Sequence, residues 1–145
     1  MRIDDGLTLH GELEVAVVRH GLVVDWFRDN NLIVDGARDM LAQLIAGDGA
    51  GNAVTDIGFG TNGDAASPDN TALTGGYWRS LTGHSYPAAG KVRFDCVPST
   101  TEANGMGIRE FGLRTSAGAL FSRKARGTIE KNDDISLEGT WTITL

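Results

Sequence analysis

The chain has 145 residues, the length of one domain, and its apolar (41%) and charged (22%) fractions are those of a globular protein rather than a disordered one. A single cysteine, Cys96, excludes a disulfide framework and a Cys-rich zinc site. The net charge of −6 argues against a nucleic-acid coat, which needs a basic surface to neutralise phosphates.

Twenty glycines beside three prolines, with no G-X-Y period, point to many turns between short strands. No apolar run approaches the roughly 18 residues of a membrane helix, so no membrane partner is expected. The opening MRIDDGLTLHGELEV lacks a basic stretch followed by a long apolar one, so the expected site of synthesis is the cytoplasm, without a secretion signal. Charge is unevenly spread. Residues 1–72 carry four basic and twelve acidic side chains, whereas residues 73–145 carry nine and seven. Such a split could let an acidic face of one copy meet a basic face of the next.

In chain order, GELEVAVVR and LVVDWFRDN are two β-rich runs separated by His20-Gly21, the pattern of a tight hairpin. Leu13, Val15 and Val17 fall on one face of the first run, Ala16 and Val18 on the other. A strand apolar on both faces asks for cover on both. Asp35 then stands where a helix N-cap is favoured. Ala37, Met40, Leu41, Leu44 and Ile45 follow at helical spacing, and Gly47 ends the helix, which is expected near 36–46. From Val54 onward the chain reads as strand and turn. Ile57 and Phe59 alternate, TNGDAASPDN makes a long polar loop, and YWRSLTG and KVRFDCV follow. GIREFGLRT carries Ile108, Phe111 and Leu113, whose change of phase implies a bulge near Glu110. The short run ALFSRK comes next. Ile135, Leu137, Gly139, Trp141, Ile143 and Leu145 then alternate with Ser136, Glu138, Thr140, Thr142 and Thr144 as one half-buried strand. The whole predicts a mainly β protein. Its fold is an antiparallel β-sandwich of seven or eight strands with one helix, residues 1–30 forming an N-terminal hairpin arm and 31–145 the sandwich.

Motifs for chemistry are few. Gly58-Phe59-Gly60-Thr61-Asn62-Gly63 matches G-x-G-x-x-G, but DAASPDN follows where a phosphate-binding helix would have to open, so turn geometry or close backbone approach is the better reading. His10, His20 and His84 lack ligand spacing, and His20 reads as a turn residue. Asp64 and Asp69 with Asn62 and Asn70 have oxygen ligands of the type calcium takes, without EF-hand spacing. They read as turn-makers, and no metal, cofactor or catalytic residue is assigned. Cys96 reads as a buried small hydrophobe. Glu110 reads as a partly buried carboxylate paired with Arg109 or Arg114. Among the aromatic residues Trp26, Trp78, Trp141, Tyr77 and Tyr86, the group Tyr77-Trp78 beside Arg79 is the expected exposed contact for a partner or glycan.

The order of several segments resembles a family of small virion proteins of tailed bacteriophages and prophages, labelled tail fibre or tail-associated proteins. The resemblance runs from Asn31 to Leu145. It is carried by Asn31-Leu32-Ile33-Val34-Asp35-Gly36-Ala37-Arg38 with the helix behind it, and by Ile57-Gly58-Phe59-Gly60-Thr61-Asn62-Gly63, where the commoner form has a shorter Gly-Thr-Gly. Asp69-Asn70-Thr71-Ala72-Leu73, Glu102-Ala103-Asn104, Ile108-Arg109-Glu110-Phe111-Gly112-Leu113, Leu120-Phe121-Ser122-Arg123 and Trp141-Thr142-Ile143-Thr144-Leu145 complete it. It implies a non-enzymatic particle component in the tail, baseplate or fibre-attachment region. Its partners would be further copies of itself, as a trimer or hexamer, and other virion proteins. A head-surface decoration protein and a carbohydrate-binding module for the host surface are the alternatives. Expected assembly contacts are Val15, Val17, Val23 and Phe27 of the hairpin and the basic residues Arg123, Lys124 and Arg126.

Overall fold

The computed structural model describes residues 9–96 and 100–145. The first eight residues of the expected arm, and Val97 closing the KVRFDCV run, lie outside the described residues. The elements are β1 (His10–Arg19), β2 (Leu22–Ile33), α1 (Asp35–Ala46), β3 (Val54–Gly60), β4 (Tyr77–Ser80), β5 (Gly83–Ser85), β6 (Lys91–Cys96), β7 (Met106–Thr115), β8 (Leu120–Lys131) and β9 (Ile135–Thr144). All strand pairs are antiparallel, in one sheet of order β4-β3-β7-β8-β2-β1-β9-β6-β5.

The two ends of that sheet, β4 and β5, are separated in the chain only by Leu81 and Thr82. The Leu81 N–H donates to the Thr55 carbonyl and the Thr82 N–H to the Asp95 carbonyl, both at 2.9 Å. One short run therefore leaves one edge of the sheet and joins the other, which a flat sheet could not allow. The sheet is curled on itself, and its two halves face each other like the layers of a sandwich. The mainly β fold, the hairpin and the single helix are as the sequence indicates. Nine strands replace seven or eight because YWRSLTG, read as one run, divides at this corner.

Period-two alternation decides what fills the curl. Leu13, Val15 and Val17 of β1 point inward, as do Ile135, Leu137, Trp141 and Ile143 of β9, with Ile57, Phe59, Phe111 and Leu113 facing them. Val15 and Val17, expected to contact a neighbouring copy, thus belong to the chain's own core. Leu145 is exposed, because the strand ends at Thr144. The Trp141 indole N–H finds a partner at 2.7 Å in the Asn31 side-chain oxygen, and Gly11 leaves the space that the Asn31 amide occupies. The hairpin turn has φ of 50° at His20 and 77° at Gly21, the two positive values a type I′ turn requires. A register shift between Ile108 and Glu110 supplies the bulge read from the phase change in β7.

The helix departs in one detail. Val34 is its N-cap, without a side-chain capping bond, and Asp35 is the first helical residue, where its charge still suits the helix N-terminus. Gly47 ends the helix in the left-handed region at φ 82°. Of the predicted apolar stripe, Ala37 is buried and Met40 and Leu41 are half-buried against the core, whereas Leu44 and Ile45 are not covered.

Leu13 lies on a strand paired on both sides and is fully buried, so Leu13→Ala removes a packed side chain that neighbours cannot replace. The expected loss is about 2–5 kcal/mol, read as a lowered urea midpoint at unchanged slope.

Candidate functional site

Glu110 and Arg123 are 0% and 2% exposed, and their Oε1 and Nε atoms lie 2.9 Å apart. The pairing with Arg109 or Arg114 expected from proximity in sequence is not formed. Arg109 is exposed and donates to the Thr128 hydroxyl, while Arg114 pairs with Asp56 at 2.9 Å. Glu110 Oε2 accepts from the backbone N–H groups of Asn62 (2.8 Å) and Thr74 (3.0 Å). Arg123 donates through Nη2 to the carbonyls of Asn62 (2.9 Å) and Asp64 (3.0 Å), and through Nη1 to Asn70 Oδ1 (3.1 Å). The pair thus pins the loop between β3 and β4 across the outside of β7 and β8. The oxygens weighed as calcium ligands are spent in part on this guanidinium, and among the described residues no group of three His, Cys, Asp or Glu side chains could hold a metal. Arg123 is therefore not an assembly contact. It is the internal partner that Glu110 requires.

The Gly58-Phe59-Gly60 run has its reason in the same place. A side chain at Gly60 would run into the Glu110 carboxylate at 2.5 Å, and one at Gly58 would meet the Trp78 ring at 2.5 Å. These glycines allow close approach, not nucleotide binding. Trp78 consequently lies flat on the backbone with the Arg114 guanidinium 4.5 Å above its ring, and Arg79 lies 3.4 Å from Glu102. Tyr77 stacks on Phe59. Of the expected Tyr77-Trp78-Arg79 platform, Trp78 and Arg79 are thus engaged by the chain itself, while Tyr77 stays partly open. The exposed aromatic residues are Trp26, Tyr77 and Tyr86.

The hairpin presents a different surface. Its outer face carries the cross-strand pairs Ala16–Trp26 and Val18–Val23, with Leu22 opposite Arg19 at the tip and Val24 unpaired at the register shift. Leu22, Val23, Val24 and Trp26 are 53–70% exposed. Further along the face the residues become polar, with Glu12 and Glu14 beside Thr140, Thr142 and Arg93 in a shallow groove. Cover was expected on both faces of β1, and the described residues supply it on one. Phe27, by contrast, turns inward, 5.8 Å from Phe111 and beneath the Arg126 guanidinium at 4.0 Å. Lys124 and Arg126 reach Asp29 and Asp25 at 3.8 and 3.9 Å, closing a gap where β2 and β8 diverge. Of the expected assembly contacts, Val23 is fully available on the surface.

A second uncovered surface lies beside α1. Leu9, Leu41, Leu44, Ile45 and Leu145 line an open apolar groove of ≈450 Å³ with Arg38 at its rim, and Ile45 is 89% exposed. No family model matches the chain, and no curated protein or solved structure is significantly similar to it.

Two expectations follow. Arg123→Met leaves the Glu110 carboxylate buried without its cation and should cost about 3–5 kcal/mol in denaturant unfolding, with part recovered in the Glu110→Gln, Arg123→Met double variant. Burial pushes the Cys96 thiol up to about 12 from 9.0, against the smaller opposing pull of Arg79. The unfolded chain releases this proton first, so stability from Cys96 is full below pH 9 and is lost as pH rises toward 12. Native protein at pH 8 should leave Cys96 unreacted with Ellman's reagent, and denaturant should release one equivalent.

Proposed function

We propose that the chain is a non-enzymatic structural component of a tailed-phage or prophage particle, working as a symmetric oligomer in the tail, baseplate or fibre-attachment region. The observation that carries this reading is the bare outer face of the hairpin, where Trp26, Val23 and their neighbours stand on strands fixed in the sheet. Contiguous exposed apolar residues on a rigid element mark a surface that another molecule covers. The segment order from Asn31 to Leu145 that resembles small virion proteins says what kind of molecule that is. The groups that could have argued for chemistry have other duties. Both Glu110 oxygens are bound, and Cys96 is sealed in the core.

The reading favours assembly over a glycan-binding module, because Trp78 has its ring covered by Arg114 and its other side against Gly58. The test is mass spectrometry of particles purified after induction of the source bacterium. The chain should be recovered in intact particles, in fixed ratio to other virion proteins, and should follow the tails when heads and tails are separated. Recovery only in the soluble lysate overturns the proposal, and recovery with the heads moves the protein to a decoration role.

A further inference from the structure

The sequence asks for more cover than the described residues provide at two places, the outer face of the hairpin and the last turn of α1. These two surfaces differ in shape. The hairpin tip is a projecting apolar ridge of Leu22, Val23, Val24 and Trp26, and the surface beside α1 is a concave apolar groove of ≈450 Å³. A cavity of about 150 Å³ accepts a benzene ring, so the groove has room for about three apolar side chains. Their charges are also matched. Arg38 rims the groove, and the Glu14 carboxylate accepts from the Trp26 indole N–H at 3.3 Å on the ridge.

Their placement excludes contact within one molecule. β1 is paired from His10–Thr144 at one end to Arg19–Ile135 at the other. The ridge lies at the Arg19 end. Leu9, Leu145 and α1, which starts two residues after β2, lie at the His10 end. Ten strand residues separate the two by about 30 Å.

On this basis, and resting on the assembly reading above, we propose that the hairpin ridge of one copy docks into the α1 groove of the next. Unlike surfaces in contact make a heterologous interface, which repeats head to tail and yields a closed ring or an open stack rather than a two-fold dimer.

The test uses the full chain and two surface variants, Val23→Glu on the ridge and Ile45→Glu in the groove. Both positions are exposed, so both variants should keep the wild-type circular dichroism and melting temperature. Light scattering over a hundredfold concentration range should show wild-type oligomers larger than a dimer and about a hundredfold weaker association of each variant alone. Mixed in equal amounts, the two variants should form a dimer and nothing larger, since the mixture holds one intact ridge and one intact groove per pair. If Val23→Glu alone abolishes association while Ile45→Glu is silent, the ridge packs on another ridge and the proposal is wrong. Wild-type protein that stays monomeric throughout also overturns it, and leaves the virion reading intact with a different protein as the cover. Association untouched by either variant overturns it as well.

Discussion

The Glu110–Arg123 pair decides where the loop between β3 and β4 can go, and through the loop it decides which half of the sheet is covered. Taking two charges out of water is costly, and the structure offsets that cost by satisfying nearly every donor and acceptor the pair has. The carboxylate takes two backbone N–H groups besides the guanidinium, and the guanidinium takes two carbonyls and an amide oxygen. Asn70 also accepts from the Ser67 N–H, and the Pro68 carbonyl accepts from the Asp35 N–H at the start of α1. A polar, glycine-containing loop thereby becomes a fixed lid on β3, β7 and β8, and it ties the helix to the same node. Among the described residues, the half of the sheet built from β1, β9 and β6 has no such lid, and the hairpin surface is bare on that side.

Much of this was legible in the sequence because the information is local. Alternation in β1 and β9 shows which residues point inward, His20-Gly21 specifies the hairpin turn, and the Ile108 to Phe111 phase change marks the bulge. The partner of Glu110 was not legible, because it lies across a strand pair rather than along the chain. Arg109 and Arg114 were nearer in sequence, but one bonds the Thr128 hydroxyl and the other is taken by Asp56. A signal for Arg123 did exist. It follows Leu120, Phe121 and Ser122, all buried, and a charge set directly after an inward-facing run needs an internal partner. The glycines of Gly58-Phe59-Gly60 were ambiguous for a related reason. A missing side chain shows that something comes close, and only the fold shows that Trp78 and Glu110 are what comes.

The helix and the hairpin illustrate a different limit. Periodicity states how much of an element's surface is apolar, and says nothing of whether the same chain will cover it. The stripe from Ala37 to Ile45 and the outer residues Ala16 and Val18 are apolar beyond what the described residues bury. In α1 the core takes Ala37, Met40 and Leu41 and stops. The mismatch between apolar pattern and burial among the described residues is what the proposed assembly rests on.

Sheet edges explain why such a surface would bind through side chains rather than by adding strands. An exposed strand edge is a template for indiscriminate pairing, and proteins blunt it with charges, bulges and closure. Here β4 and β5 meet through Leu81 and Thr82, which takes both ends of the sheet out of play. Where β2 leaves β8, Asp25 and Asp29 face Arg126 and Lys124 across the gap, with Phe27 packed beneath Arg126. The register shift between Val17 and Val18 bends the ribbon just before the tip. Each device discourages another strand from docking along β2, and none of them covers Trp26 or Val23. A partner of the proposed kind would thereby meet the outward side chains of the hairpin, whose shape and charge can discriminate one partner surface from another in a way that a bare backbone edge cannot.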